Sequence, residues 1–157
     1  MNNDHKMLSD TEIEVCAQAS AICPSFNLRK SARAVSRIFD EALQPCGLRS
    51  GQLAMLLAIA TGREPTYAQL ARDLVMDTST IARSLRPLER EGLLEIVAGL
   101  DRRRKSVRLT PLGAERIRQA VPLWEKAQGW FNGRVGDDEW TRTLADLDHV
   151  LGRIRGY

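Results

Sequence analysis

Residues 66–110 read TYAQLARDLVMDTSTIARSLRPLEREGLLEIVAGLDRRRKSVRLT, and the order of signals in this stretch decides the fold. Thr66 and Gln69 form a capping-box pair ahead of Leu70, Ala71 and Leu74, which predicts a helix of about two turns. Val75-Met76-Asp77 is a short connector. Asp77 or Thr78 can cap a second helix that carries Ile81, Leu85 and Leu88 on its inner face and ends near Gly92. Leu93 to Val97 and Ser106 to Thr110 then predict the two strands of a hairpin around a charged tip, because Val107 and Leu109 alternate with Arg108 at period two. Two helices joined by a tight turn and followed directly by a hairpin make a helix-turn-helix with a β-wing.

One residue is discordant. Pro87 removes a backbone donor from the second helix and crowds the carbonyl of Arg83, at a cost of ~3 kcal/mol. Either a kink or a break satisfies the sequence; a break would leave 78–86 as the reading segment and 87–91 as a separate turn.

The flanks are helical. Ser9-Asp10-Thr11-Glu12 has the form of a capping box and opens a short helix to about Ile22, which Pro24 interrupts. From about Ser25 to Leu43 the apolar Leu28, Ala32, Val35, Phe39 and Ala42 recur at helical spacing opposite Arg29, Arg33, Arg37 and Glu41. Gln44-Pro45-Cys46-Gly47 ends that helix, and Ser50 starts a strongly apolar one through Ala60 that is expected to be buried. Downstream, Thr110-Pro111 is a helix start, Pro122 a break or kink, Asn132 to Gly136 a loop, and Asp137 the cap of a last helix striped by Trp140, Leu144, Leu147, Leu151 and Ile154. The fold class is therefore mainly α with a small β-wing. The division is an N-terminal segment (1–24), a first long helix and linking helix (25–62), the winged helix-turn-helix (63–110) and C-terminal helices (111–157).

Composition excludes several functions. At roughly 150 residues per domain, 157 residues make one domain, able to bury about 70% of its unfolded surface without disulfides or a structural metal. The longest apolar run, Leu53 to Ala60, is far short of the ~20 residues of a membrane span, and the polar N-terminus has no secretory signal, so a cytoplasmic location is expected. Cys16, Cys23 and Cys46 match no CxxC spacing, and the two histidines, His5 and His149, lie far apart without a motif. No metal, no cofactor and no enzyme activity are expected, since a thiol enzyme needs a general base beside its cysteine.

The net charge of +3 is unevenly placed. Residues 78–110 hold eight basic side chains against four acidic ones, a surplus of four that leaves the rest of the chain at one net negative charge. Positive charge confined to the winged segment suggests a polyanion footprint. The second helix fits the major groove of duplex DNA, with Ser79, Thr80 and Arg83 the leading contacts and Thr78 and Arg86 beside them. Arg83 can bond guanine bidentately, worth ~1–3 kcal/mol of discrimination, or it can touch phosphate or pair with a surface glutamate. The wing tip Asp101-Arg102-Arg103-Arg104-Lys105 suits the negative potential of the minor groove, with Asp101 fixing a neighbouring arginine; the alternative is a solvated charged turn.

The stretch LRPLEREGLLEIVAGLDRRRKSVRLTPLG resembles the MarR (multiple antibiotic resistance regulator) family of winged-helix transcription factors, most specifically at Leu88-Glu89, Gly92-Leu93, the D-x-R of Asp101 and Arg103, and the L-T-x-x-G of Leu109, Thr110 and Gly113. The resemblance covers about residues 25–155 in element order. It implies a homodimer whose N- and C-terminal helices interlock, with two winged helices on successive major grooves of a pseudo-palindromic operator. Arg103 inherits minor-groove insertion and Asp101 its orientation, while Arg102, Arg104 and Lys105 leave open which side chain inserts. Pro87 departs from the plain family pattern. The residues support a dimer independently, since the helices after Thr110 carry all three Trp and a stripe longer than one winged helix can cover.

Family regulators release DNA on binding a small, often aromatic, molecule, or on cysteine oxidation. In this chain the aromatic-rich C-terminal helices suggest an effector pocket near Phe39, Trp124, Trp130 and Phe131, and the setting of Cys23 near a helix start, beside Arg29 and Lys30, suggests instead a thiol switch there, with or without Cys16. Those aromatics also serve as core or interface, and the cysteines as inert small hydrophobes. The sequence points to a dimeric transcriptional regulator, a repressor more than an activator. A winged helix used only for protein contact is the competing function.

Overall fold

The computed structural model describes residues 7–98 and 105–154. The elements run α1 (Asp10–Ile22), α2 (Pro24–Leu43), a 3₁₀ turn (Gln44–Cys46), α3 (Ser50–Gly62), α4 (Tyr67–Asp73), α5 (Thr78–Arg90), β1 (Leu94–Ala98), β2 (Lys105–Leu109), α6 (Pro111–Val135) and α7 (Asp137–Ile154). The mainly helical fold with a two-stranded wing is as the sequence predicts. Two compact units part after Ile38.

In the first unit, Ser9 caps α1 through a reciprocal capping box with Glu12, whose carboxyl the Ser9 backbone N–H and hydroxyl hold below its ordinary value. No residue of α1 is buried. Pro24 does not merely interrupt: it is the first residue of α2, where its missing N–H and fixed φ suit a helix start. Asn27 secures the junction, its side-chain amide donating to the carbonyls of Ser20, Ala21 and Cys23 at 3.0–3.1 Å.

The second unit holds the core. Leu43, Leu48, Leu56, Ile59, Leu70, Ile81, Leu85, Leu88, Leu93, Leu94 and Val107 are all fully buried. α3 begins on a cap that no local sequence signal reveals: Asp40 accepts from both the N–H and the hydroxyl of Ser50 at 2.6 Å. α3 is buried on one face, through Leu53, Met55, Leu56 and Ile59, whereas Leu57 is exposed, so the expectation of a buried helix holds for that face alone. Arg116 of α6 donates to the Cys46 carbonyl at 2.9 Å, tying α6 to the 3₁₀ turn.

Both internal prolines leave their helices intact. α5 runs unbroken through Pro87 and α6 through Pro122, so neither breaks its helix. Burial explains this: Leu85 and Leu88 bracket Pro87 on the core side, Ala120 and Ala127 bracket Pro122, and packing of that face offsets the missing donor. The loop expected over 132–136 shrinks to Gly136 alone (φ +92°), because Asn132 stays helical and accepts from the Gly136 N–H at 2.7 Å. α7 then folds back so that Trp140 meets Phe131 edge-on, with ring centroids 5.0 Å apart.

The wing pairs β1 with β2 antiparallel, Leu94 opposite Leu109 and Ala98 opposite Lys105. A short third edge joins it: Thr66 bridges Ser106, and Val107 donates to the Pro65 carbonyl at 3.0 Å. α5 ends in a Schellman motif at Gly92 (φ +72°), Leu93 N–H reaching Leu88 O and Gly92 N–H reaching Glu89 O, both at 2.9 Å. The L-T-x-x-G motif acquires its reason here. The Thr110 hydroxyl donates to Gly92 O and accepts from Gly113 N–H, while a Cβ on Gly113 would lie 1.9 Å from Leu93 O.

Candidate nucleic-acid interface

α5 owes its orientation to sharp amphipathicity. Ile81, Leu85 and Leu88 enter the core, so Ser79, Arg83, Arg86 and Arg90, at spacings of four, three and four, share the exposed face. Because Pro87 leaves the helix unbroken, Arg86 and Arg90 stay in line with Arg83. Arg90 was missed as a candidate, although its spacing of seven from Arg83 is the signal that finds it. It donates to the Arg86 carbonyl at 3.4 Å.

Asp77 organises the amino end. It is the N-cap, accepting from Thr80 N–H at 2.7 Å and from the hydroxyls of Ser79 and Thr80 at 2.6 Å. Those hydrogen bonds, the one from Ser79 foremost, hold its carboxyl well below the usual carboxylate range. Arg83 donates to Thr80 Oγ1 at 3.3 Å, so Ser79, Thr80 and Arg83 form one connected cluster. Thr78 is exposed at the first turn. The turn before it, Leu74 to Asp77, is sharpened by Val75, which adopts the left-handed region (φ +53°) while exposed.

On the wing, Lys105 is exposed at the start of β2. Asp101, Arg102, Arg103 and Arg104 lie outside the described residues. Arg108, one of the eight cations of the segment, donates to Glu95 Oε1 from Nε at 2.9 Å, with Nη2 in ion-pair contact with the same oxygen at 2.8 Å, and to Glu64 Oε1 from Nη1 at 3.3 Å. Glu95 first, then Glu64, raises its pKa above the ordinary arginine value.

A family model described as a winged helix DNA-binding domain matches residues 48–113. The M. tuberculosis transcriptional regulator MosR, solved in complex with DNA, is 32% identical, with 85% of this chain and 98% of that one covered at a TM-score of 0.74. The chain belongs to the MarR family of winged-helix transcriptional regulators. The HTH-type transcriptional regulator YwoH of Bacillus subtilis is 31% identical over 53% of this chain, which spans 61% of that relative's length. A variant of E. coli MarR bound to operator DNA shares the fold, at 24% identity, a TM-score of 0.72 and coverage of 87% and 96%. The family is one of regulators, not enzymes.

For a MarR-family chain the remaining candidates are the aromatics and the thiols. Phe39 and Trp124 come together, lining a cavity of about 190 Å³ with Leu43, Ser50, Leu53, Ala54 and Leu57. The other two do not join them. Trp130 carries the Arg134 guanidinium 4.8 Å above its ring, and Phe131 is packed on Trp140. Spacing alone could not separate these pairs, because it gives each ring a direction on α6 but not the neighbour that direction meets. Cys46 is buried in the core, Cys16 is exposed and Cys23 half-buried at the end of α1. Two helical turns separate Cys16 from Cys23, roughly 10 Å, beyond the ~7 Å that a disulfide spans. Among the described residues no three His, Cys, Asp or Glu side chains converge as a metal site, and no helix is long and apolar enough to cross a membrane.

Proposed function

We propose that this chain is a sequence-specific, double-stranded DNA-binding repressor of the cytoplasm, working as a homodimer on a pseudo-palindromic operator and released by a small aromatic effector. The observation that carries the DNA-binding part is the single exposed face of α5, with Ser79, Arg83, Arg86 and Arg90 on an unbroken helix opposite a buried one. A helix of this kind fits the major groove, about 12 Å wide, where Arg83 can read guanine and Ser79 and Thr80 reach base edges or phosphate. The wing cations Arg102, Arg103, Arg104 and Lys105, with Asp101 orienting Arg103, are assigned to the neighbouring minor groove. MosR, a relative at 32% identity, was solved with DNA, which favours this over a protein-contact module.

The dimer is supported by apolar surface that a single chain leaves uncovered. α7 buries no residue, Leu144 is 45% and Ile154 58% exposed, and Trp130 of α6 is 49% exposed. Residues 25–62 are assigned as a dimerisation helix and a linking helix and 111–157 as C-terminal dimerisation helices, an arrangement that would set two copies of α5 about one helical turn of DNA apart, ~34 Å. The Phe39–Trp124 cavity supports the effector, being nearly all apolar and of the size class in which roughly 150 Å³ holds benzene. Ligand entry between α2, α3 and α6 would shift the elements from which α5 is hung.

The test is selection of bound fragments from the source genome, followed by anisotropy titration of the best fragment at several salt concentrations with the wild type and Arg103→Ala. A two-fold related site is expected, with log affinity falling steeply against log salt and the slope reduced by about one for the variant. No enrichment and a flat salt dependence would overturn DNA binding and leave the protein-contact function. The effector is tested on the same complex: small aromatics should dissociate the wild type and not an Ala54→Trp variant with a filled cavity.

A further inference from the structure

We infer that Arg108 is a positioning residue for DNA binding, a strut that sets the pose of the wing through Glu64 and Glu95 without contacting DNA. This rests on the DNA-binding function proposed above.

Charge alone counts Arg108 among the cations of the winged segment. The geometry assigns it elsewhere. Its guanidinium donates from Nε to Glu95, its partner across the strand pair, keeps Nη2 in ion-pair contact with the same carboxylate, and donates from Nη1 to Glu64, in the connection from α3 to α4. With two carboxylates on one guanidinium the cluster carries a net charge of −1, which repels phosphate.

The connection it grips is unusual. Arg63 and Glu64 both occupy the left-handed region, at φ +47° and +69°, and neither is glycine. Two consecutive L-residues there cost roughly 1–2 kcal/mol each and persist only when their flanks over-determine them. Here the flanks are the Pro65 carbonyl taken by Val107, the Thr66 bridge to Ser106, and the Arg108 ion pair on Glu64. The pairing of Pro65 and Thr66 fixes one edge of β2 through its backbone; Arg108 fixes the hairpin from the side-chain face. Both strands are thereby fastened to the connection that leads into the helix-turn-helix.

A small slack at this root matters further out. Ala98 and Lys105 pair three rungs beyond Glu95 and Arg108, about 10 Å along the strands, so a 10° tilt at the root displaces them by roughly 1.7 Å. That exceeds the tolerance of a hydrogen bond.

The strut and a simple charge effect predict opposite signs for one substitution. Glu64→Ala removes a negative charge from the DNA-facing domain, which by electrostatics alone tightens DNA binding; loss of the strut loosens it. Wild type, Glu64→Ala, Arg108→Gln and the double variant are titrated against the selected operator and a random-sequence duplex at several salt concentrations, with circular dichroism confirming the fold. The expected result is three- to tenfold weaker operator binding for both single variants, an unchanged salt slope, a change under twofold on random duplex, and a double variant no weaker than Arg108→Gln. Tighter operator binding by Glu64→Ala, or a slope reduced by about one for Arg108→Gln, overturns the strut and makes Arg108 a phosphate contact. Should Arg108→Gln fail to fold, the sign of the Glu64→Ala effect still decides. Failure of the wild type to bind either duplex would instead refute the DNA-binding function itself.

Discussion

Replacing Gly113 by alanine tests why the wing and α6 meet as they do. An added Cβ would sit 1.9 Å from Leu93 O and 2.9 Å from Leu93 C, and since a real Cβ keeps at least about 3.0 Å, the α6 start and the root of β1 must part by roughly 1.1 Å. The obstacle is backbone, so no rotamer change relieves it. Separation stretches the Thr110 N–H bond to Leu93 O, now 3.2 Å, and strains the Thr110 cap, which at present accepts from Gly113 N–H at 3.0 Å and donates to Gly92 O at 2.6 Å. Overpacking of about 1–3 kcal/mol and a weakened cap of about 1 kcal/mol outweigh the 0.5–1 kcal/mol that alanine gains over glycine in a helix, so the net loss is about 1–3.5 kcal/mol. For a chain of this length that lowers Tm by roughly 2–14 °C. Thermal unfolding by circular dichroism at one fixed protein concentration measures it. Gly51→Ala is the control, because a Cβ there meets nothing within 4 Å and should leave Tm unchanged or slightly raised. A Gly113→Ala protein as stable as the wild type would refute the close approach as the reason for glycine in the L-T-x-x-G motif.

Three further substitutions probe separate parts of the molecule. Val75→Gly should raise stability by about 0.5–1 kcal/mol, since an exposed β-branched residue in the left-handed region costs more than glycine's extra chain entropy; a lower urea midpoint would contradict it. Asp77→Ala should lower Tm by about 2–4 °C at pH 7 through loss of the α5 cap. Because the folded-state pKa of Asp77 is depressed, its stabilisation is fully present above the ordinary aspartate range and is lost as pH falls below about 4, so the two melting curves should converge in acid; a gap constant down to pH 2 would contradict this. Leu144→Glu places a charge in the exposed stripe of α7, and sedimentation equilibrium should find a dimeric wild type and a monomeric variant; a monomeric wild type would refute the proposed dimer, and a variant still dimeric at micromolar concentration would refute α7 as its interface.

What the sequence determined was whatever depends on near neighbours in the chain. The caps at Ser9, Thr66, Asp77 and Thr110 appear where their side chains indicated, because a cap needs only the N–H groups two or three residues ahead. The inner face of α5 followed from helical periodicity, and the wing from period-two alternation, so the outward placing of Ser79, Arg83 and Arg86 was legible in the sequence. What the tertiary structure decided was whatever depends on partners far away in sequence. Pro87 and Pro122 stay within helices because buried neighbours hold them, which outweighs the local cost that left a kink or a break open. Asp40 caps a helix that begins ten residues later, and Arg108 spans to Glu64 and Glu95. Phe39 and Trp124 share a cavity while Trp130 and Phe131 turn elsewhere, since the pitch of α6 assigns each ring a direction but only the surrounding helices determine what that direction meets.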